Sequence, residues 1–186
     1  MMSSSVLAAG DSVLIRKIEP DDFEVVSQFE YSVSVTEPHG DRERVAELHA
    51  QSGFCQDETG AVGIVGLSSN RLLGTLQYYR CAPCIHGLEI GYVVHDPKDR
   101  RHGYAAQGLR LLSDLLFADR PQFYRQQLVI GVWNTPSWKV AERCGFLRER
   151  VMRSCGFGQG DPDDCFMYSR TRKDYAQEKK GRLDHG

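Results

Sequence analysis

One short run of basic and small residues, Asp99-Arg100-Arg101-His102-Gly103-Tyr104-Ala105, has the residue types that bind a pyrophosphate. It follows an apolar, β-rich segment that ends at Val94, and an amphipathic segment comes after it, so the pattern predicts a strand, a glycine turn and a helix. The first backbone N–H groups of such a helix lack intrahelical partners, and the helix dipole adds positive potential. Gly103 allows close approach of the backbone, and the basic side chains add donors at the rim. The run therefore predicts an anion site.

The same loop matches the pattern Arg/Gln-x-x-Gly-x-Gly/Ala at Arg100, Gly103 and Ala105. Two further elements follow it, Asn134-x-x-Ser137 and Cys144-Gly145-Phe146. Together these motifs resemble the GNAT superfamily of N-acetyltransferases, and among them the RimJ/RimL-like branch. The nucleotide-binding alternatives are not matched, because no Gly-Lys-Ser/Thr follows the loop glycine and no Gly-x-Gly-x-x-Gly stands at a strand end.

The resemblance implies a mixed α/β (α+β) GNAT fold. Its central sheet would be mixed but mostly antiparallel, with about six or seven strands splayed between the family's fourth and fifth strands, and about four helices would flank it. The chain has 186 residues, which suits one sizeable core. We expect one domain over residues 12–175, a flexible N-terminus at 1–11 and a flexible basic tail at 176–186.

Local patterns predict most of the elements. A first helix is expected after Pro20, and Asp41 can cap a second. Leucines recur with helical spacing after the anion loop. Thr135 can cap the next helix, which would leave the Asn134 side chain available to a ligand, and Gly145 would end that helix. Predicted strand pairs are Ala61–Leu67 with Leu72–Tyr79, and residues 147–156 with Cys165–Thr171 around the glycine-rich loop at 156–163.

By resemblance, acetyl-CoA is the co-substrate and its pantetheine arm lies along the strand that precedes the anion loop. His102 has an alternative reading as a solvated loop histidine. The residues expected to bind acetyl-CoA are Tyr92, Val93, Val94, Arg100, Arg101, His102, Gly103, Tyr104, Ala105, Ala106 and Asn134.

Acyl transfer from a thioester to an amine needs a group that deprotonates the amine and one that protonates the departing sulfur. Glu89 stands at the strand start where many family members carry the base; alternatively it is a strand carboxylate paired with a neighbouring cation. Ser137 could be the acid, or it could bond its own helix backbone. Asn134 is read as a ligand to the pantetheine or acetyl region, with a helix cap as the alternative.

Cysteine and histidine elsewhere carry less weight. Cys81, Cys84 and His86 have the spacing of half a zinc site, but no second pair at matching spacing completes it, so we expect a loop with incidental thiols and no metal. Cys144 is expected to be a small buried residue rather than a catalytic one.

Two positions depart from the RimJ/RimL-like pattern. Gln107-Gly108 stands where Glu-Ala is usual, and the segment at 153–157 lacks the acidic residue of the ribosomal-protein enzymes. The expected acceptor is therefore the primary amine of a small molecule: an amino acid, a polyamine, an aminoglycoside or a biosynthetic intermediate. A protein N-terminus or lysine is the alternative, and a non-catalytic acyl-CoA-binding sensor or scaffold is a second one.

Charge and hydropathy limit the partners. The formal net charge is −2, which gives no general attraction to nucleic acid or anionic lipid. No apolar run approaches the length of a membrane helix, and Met1–Gly10 does not have the pattern of a signal peptide, so a cytoplasmic location is expected. A homodimer is possible, since dimers are common in the family.

Overall fold

In the computed structural model of the chain, residues 5–28, 41–155 and 163–183 are described. Most of the glycine-rich loop expected at 156–163 lies outside these ranges, as do residues 1–4 and 184–186 of the expected flexible ends.

Eight strands form one mixed sheet in the order β1-β2-β3-β4-β5-β6-β8-β7. The pairing of β5 with β6 is parallel, and the pairings of β1 with β2, β2 with β3, β6 with β8 and β7 with β8 are antiparallel. This confirms the prediction of a mixed sheet that is mostly antiparallel. The strands are β1 Val6–Ala9, β2 Val13–Lys17, β3 Thr59–Gly66, β4 Leu72–Arg80, β5 Gly87–Val94, β6 Arg125–Gly131, β7 Leu147–Met152 and β8 Cys165–Thr171.

Five α-helices accompany the sheet in the described ranges. Asp41 caps the second as predicted, since its side chain accepts from the Glu43 N–H at 2.8 Å. Pro20–Asp22 and Pro97–Asp99 are single 3₁₀ turns. The α-helices are α1 Phe23–Ser27, α2 Arg42–Ser52, α3 Tyr104–Asp119, α4 Thr135–Arg143 and α5 Arg172–Leu183.

The chain divides into two compact units by its internal contacts. The first comprises residues 1–77 and 92–111, and the second comprises residues 78–91 and 112–186. The expectation of one domain over 12–175 stays a prediction.

In the first unit, the N-terminal strands carry the core. β2 runs antiparallel to β3 from Val13 opposite Gly66 to Lys17 opposite Val62, and Val13, Ile15 and Ile64 are fully buried. A separate cluster of Ile18, Phe23 and Val45 holds α1 and α2 against the end of β2.

The unusual Gln107-Gly108 pair of α3 has a structural explanation in the same unit. The Gln107 side chain accepts from the Ser12 N–H at 3.0 Å and donates to the Ser12 hydroxyl at 2.8 Å. A β-carbon on Gly108 would lie 2.9 Å from Ile64 Cδ1 and 3.3 Å from Leu76 Cδ1, so the helix backbone packs closely on β3 and β4 there. Hydrogen bonds to Ser12 thus account for Gln107, and close packing accounts for Gly108.

In the second unit, β6 is the central strand. It pairs with β8 from Arg125 to Gly131, whereas its parallel pairing with β5 joins Gly87–Glu89 to Arg125–Gln127, the first three residues of each strand. Leu112 and Leu116 of α3 are buried as their spacing predicts.

Both chain ends are more regular than the sequence indicates. The segment 1–11 was expected to be flexible, but Val6–Ala9 forms β1 and pairs with β2. α5 extends through most of the expected flexible tail, because Tyr175 stacks on Phe117 with centroids 5.3 Å apart and Glu178 binds the buried Arg170 at 2.8 Å. Within the described residues there are eight strands and five α-helices, against about six or seven strands and about four helices in the prediction.

Candidate active site

The basic loop predicted to bind an anion joins the end of β5 to the start of α3 in the first unit. Arg101 and Gly103 have φ angles of 67° and 83°, in the left-handed region. A β-carbon on Gly103 would meet nothing within 4 Å, so conformation rather than space favours glycine here. The first turn of α3 closes with a 3.0 Å hydrogen bond from the Gln107 N–H to the Gly103 carbonyl.

The loop side chains lie at the surface. Arg100, Arg101 and His102 are exposed, and the His102 ring stacks on Tyr104 with centroids 5.5 Å apart. The exposed guanidinium groups of Arg100 and Arg101, beside the first N–H groups of a sixteen-residue helix, fit a diphosphate. The residues present therefore suit the pyrophosphate of coenzyme A.

An ion pair anchors the start of this loop. Arg71, in the turn between β3 and β4, binds both carboxylate oxygens of Asp99 at 2.8 Å. A single guanidinium nitrogen, Nη2, makes both contacts, so the pair is not a two-nitrogen fork, and the exposed Arg71 side chain limits what it adds to stability. Asp99 is thereby unavailable to repel a bound phosphate as an isolated charge.

The strand segment expected to carry the pantetheine arm is closely packed against β4 within the first unit. A β-carbon on Gly74 would lie 2.2 Å from the Val93 carbonyl oxygen and 3.1 Å from Val94 Cα. The His95 N–H donates to the Leu73 carbonyl at 2.9 Å just beyond that point. Gly74 therefore lets the two backbones come together and fixes the path of Val93 and Val94.

Glu89 lies at the last paired position of β5 with β6, in the second unit. Its Oε1 accepts a short hydrogen bond from the Tyr79 hydroxyl, and its Oε2 accepts from Gln127 Nε2 at 2.8 Å. The donors to the two carboxylate oxygens are thus the neutral side chains of Tyr79 and Gln127. The alternative hypothesis, a strand carboxylate paired with a neighbouring cation, is not supported by these two contacts. The role of Glu89 as base stays a prediction.

Two titratable groups beside Glu89, Tyr79 and Cys81, have raised pKa values. Burial raises the pKa of Tyr79 well above its usual range, and the hydrogen bond to Glu89 adds to the rise. Burial also raises the pKa of Cys81 to about 11, with a further contribution from the charge of Glu89. Tyr79 is therefore a protonated donor and Cys81 a neutral thiol at ordinary pH.

Neither Tyr79 nor Gln127 was among the predicted site residues. Tyr79 could have been found from the hairpin between β4 and β5. The Cys81 N–H donates to the Gly87 carbonyl at 3.0 Å, so these two residues are opposite each other. Tyr79 precedes Cys81 by two residues and Glu89 follows Gly87 by two, which places Tyr79 opposite Glu89 on the same face. Gln127 gives no local signal, because it meets Glu89 through the parallel pairing of distant strands.

Asn134, and not Thr135, is the N-cap of α4. The Asn134 Oδ1 accepts from the Ser137 N–H at 3.3 Å, while the Thr135 N–H bonds to the Trp133 carbonyl at 2.9 Å. Asparagine is at least as good an N-cap as threonine, and here it stands one residue before the helix. The prediction that Thr135 caps α4 and leaves the Asn134 side chain uninvolved is therefore wrong. The role of Asn134 as a ligand to acetyl-CoA and the role of Ser137 as the acid stay predictions.

The thiols show a mixed pattern of exposure. Cys81 and Cys144 are buried, and Cys84 is exposed. Within residues 5–28, 41–155 and 163–183, no three His, Cys, Asp or Glu side chains gather as a metal site would require. In the same ranges no helix is long and apolar enough to cross a membrane.

The site residues divide between the two units. Tyr92–Val94 and Arg100–Ala106 belong to the first, whereas Glu89, Asn134 and Ser137 belong to the second. In the second unit the structure brings Glu89 together with Tyr79 and Gln127, and it brings Asn134 together with Ser137.

Solved structures with this fold include three informative ones. An acetyltransferase of the GNAT family from Bacillus anthracis is 22% identical, with 89% of this chain and 98% of that chain covered and a TM-score of 0.71. A mutant form of the spermidine N-acetyltransferase SpeG from Vibrio cholerae is 16% identical, with 91% and 99% covered and a TM-score of 0.76. A ribosomal-protein-S5-alanine acetyltransferase from Vibrio fischeri is 16% identical, with 90% and 97% covered and a TM-score of 0.71. At these identities the likeness shows the fold.

The family itself is shown by sequence. The comparison with curated proteins finds no match. Residues 12–147 match the family model described as an acetyltransferase (GNAT) domain, which is more than half of the chain. The chain therefore belongs to the GNAT acetyltransferases, enzymes that use acetyl-CoA as co-substrate.

Proposed function

We propose that this enzyme, a member of the RimJ/RimL-like branch, acetylates the primary amine of a small molecule by direct attack on acetyl-CoA in a ternary complex. Amino acids, polyamines, aminoglycosides and biosynthetic intermediates are the candidate acceptors. A cytoplasmic location and a homodimer remain part of this proposal.

The observation that carries the proposal is the arrangement of Glu89. Its two carboxylate oxygens accept from Tyr79 and Gln127, so the carboxylate has one orientation while lone pairs remain for a further proton. The amine would lose a proton to Glu89 as its nitrogen forms a bond to the thioester carbon. The carbon–sulfur bond then breaks, and the leaving thiolate takes a proton, for which Ser137 is the candidate donor.

Acetyl-CoA would be held by the residues named from the sequence. The loop Arg100–Ala106 suits the diphosphate because α3 begins there and Gly103 has the backbone conformation that glycine favours. Tyr92, Val93 and Val94 would lie along the pantetheine arm, and Asn134 would contact it near the acetyl end. Acetyl-CoA supplies the activated acetyl group, and the chain supplies binding, orientation and proton transfer.

A protein amine is the second candidate acceptor. One structural relative is a ribosomal-protein-S5-alanine acetyltransferase, and another is a chimera of the spermidine N-acetyltransferase SpeG. Because the same fold serves both acceptor classes, the acceptor has to be identified by assay. A purely acyl-CoA-binding protein would have no use for the two-donor arrangement around Glu89, which disfavours the sensor or scaffold alternative.

The test is release of coenzyme A thiol from acetyl-CoA, measured against a panel of amino acids, polyamines, aminoglycosides and peptides with free N-termini. We expect amine-dependent release with at least one of the small-molecule classes, and a product heavier than the amine by one acetyl group. Turnover with peptides alone would favour the second candidate, and thiol release with no acetylated product would contradict amine transfer.

A further inference from the structure

A row of polar side chains extends from Glu89 across the second unit. Gln127 donates through Nε2 to Glu89 Oε2 at 2.8 Å, and its Oε1 accepts from Arg125 Nε at 3.2 Å. Gln127 is 6% exposed, so its amide forms hydrogen bonds with Glu89 and Arg125 rather than with solvent. The base and the guanidinium are thus joined through one buried amide.

The far end of the row is an ion pair. The Arg125 guanidinium is forked on Glu149, with distances of 2.9 Å and 2.7 Å to the two carboxylate oxygens, and the Ser169 hydroxyl donates to Glu149 Oε1 at 2.7 Å. The hydrogen bond from Arg125 lowers the pKa of Glu149 to about 2. Glu149 is therefore ionised at neutral pH, which the fork with Arg125 requires.

Strand register places this row on one face of the sheet. Gln127 is opposite Glu89 on β5 and opposite Ser169 on β8. The preceding residue, Gln126, points to the other face, where its Nε2 donates to the Ser113 carbonyl at 2.9 Å. Two adjacent buried glutamines of β6 therefore serve opposite faces, and only Gln127 reaches the carboxylate of Glu89.

The chemistry of the row determines which way the Gln127 amide faces. An amide has one accepting and one donating end, whereas a guanidinium only donates. Arg125 therefore fixes Oε1 toward itself, and this turns Nε2 toward Glu89. A reversed amide would place an oxygen against the Glu89 carboxylate and a donor against Arg125, so both contacts would become repulsive.

We infer that Gln127, oriented by the Arg125–Glu149 fork, is a positioning residue that holds the Glu89 carboxylate for proton transfer. This inference rests on the proposed function, since it assigns Gln127 a role through the base. Gln127 itself need not touch either substrate. Misplacing a reacting group by about 1 Å can cost up to about a hundredfold in rate, so a measurable effect on turnover is expected.

The test is a double-mutant cycle between Gln127→Met and Glu89→Gln. Methionine keeps the length and volume of glutamine without its hydrogen bonds. We expect Gln127→Met to lower kcat about tenfold with the KM for acetyl-CoA within about twofold of wild type. In the Glu89→Gln background the same change should alter kcat less than about twofold, because the carboxylate that it positions is absent.

Gln126→Met is the matched control. It removes an adjacent, equally buried glutamine that bonds on the opposite face, so it should lower thermal stability while leaving kcat within about twofold of wild type. Equal losses of kcat from Gln127→Met in both backgrounds would indicate a merely structural role and overturn the inference. Unchanged kcat in Gln127→Met alone would overturn it as well.

Failure of the proposed function is distinguishable from failure of the inference. If wild type acetylates no amine, the proposed function fails, and a crystal structure of Gln127→Met then decides the positioning role without substrate. A Glu89 carboxylate displaced from its place beside Tyr79 would support positioning, and an unmoved carboxylate would overturn it. If wild type is active but Glu89→Gln is not impaired, the base role and this inference both fall.

Discussion

At the scale of single residues, Asn134 shows where the chemistry of one side chain allows two roles. Its side-chain oxygen accepts from the Ser137 N–H and caps α4, yet its side-chain NH₂ group is a donor that the cap does not use. The spacing Asn-x-x-Ser is as typical of a cap as of a ligand set, so the sequence alone could not separate them. Replacing the Asn134 amide by a carboxylate separates the cap role from the ligand role.

Asn134→Asp should keep the cap and remove the amide donor. We expect the free energy of unfolding to stay within about 0.5 kcal/mol of wild type, because aspartate caps as well as asparagine. If the amide binds acetyl-CoA, the KM for acetyl-CoA should rise severalfold. Asn134→Ala should raise the KM similarly and also lose about 1 kcal/mol of stability.

Urea unfolding and initial-rate kinetics on both variants separate the roles. An Asn134→Asp enzyme with wild-type KM and wild-type stability would show that the residue is a helix cap and nothing more.

At the scale of elements, the loop between β5 and α3 was predictable because its signal is local. Basic residues, Gly103 and the start of an amphipathic segment follow one another in sequence, and the structure has a left-handed Gly103 directly before α3. By contrast, Gly74 carries no such signal. Its requirement arises from the Val93 carbonyl, which lies 2.2 Å from where a β-carbon would be and is nineteen residues away in sequence.

Gly74→Ala should therefore disturb both the sheet and the cofactor strand. Because the obstacle is backbone, we expect a loss of about 2 kcal/mol or more in the free energy of unfolding, together with a higher KM for acetyl-CoA. The matched control is Gly91→Ala on β5, where a β-carbon would meet nothing within 4 Å. That change should leave stability within about 1 kcal/mol of wild type. Urea denaturation of both proteins is the measurement, and equal stabilities would contradict the packing account.

At the scale of the whole molecule, the overall fold followed from the sequence better than its ends did. Strands, turns and the leucine stripe of α3 have periodic patterns, and the resemblance implied a mixed, mostly antiparallel sheet. β1 is stabilised by its pairing with β2, and α5 is stabilised by the packing of Tyr175 on Phe117 and by the ion pair of Glu178 with Arg170. Such contacts leave no pattern in the segment itself, so the sequence indicated flexible ends.

Stability of the whole chain should depend on pH through His95. His95 is 6% exposed, its Nε2 lies 3.2 Å from the Thr75 hydroxyl, and burial lowers its pKa to about 4. In the unfolded chain the histidine titrates near 6.5, so between these values the unfolded state binds a proton that the folded state does not. The folded state therefore loses stability as pH falls from about 6.5 toward 4, by up to about 3 kcal/mol, and no more of it is lost below pH 4.

Comparison of wild type with His95→Gln isolates this contribution. Urea unfolding at pH 7 and pH 5 should show a smaller difference between the two pH values for the variant than for wild type. The same pH dependence in both proteins would show that His95 does not carry it.

The central claim, that this GNAT enzyme uses the Glu89 carboxylate to take the proton from its amine, is tested most directly by the kcat of Glu89→Gln. The measurement uses the amine identified by the panel and follows the release of coenzyme A thiol. A positioned base typically contributes about 10²- to 10⁴-fold, so we predict a loss of at least about a hundredfold with the KM for acetyl-CoA unchanged. A loss smaller than about tenfold would contradict the assignment of Glu89 as the base.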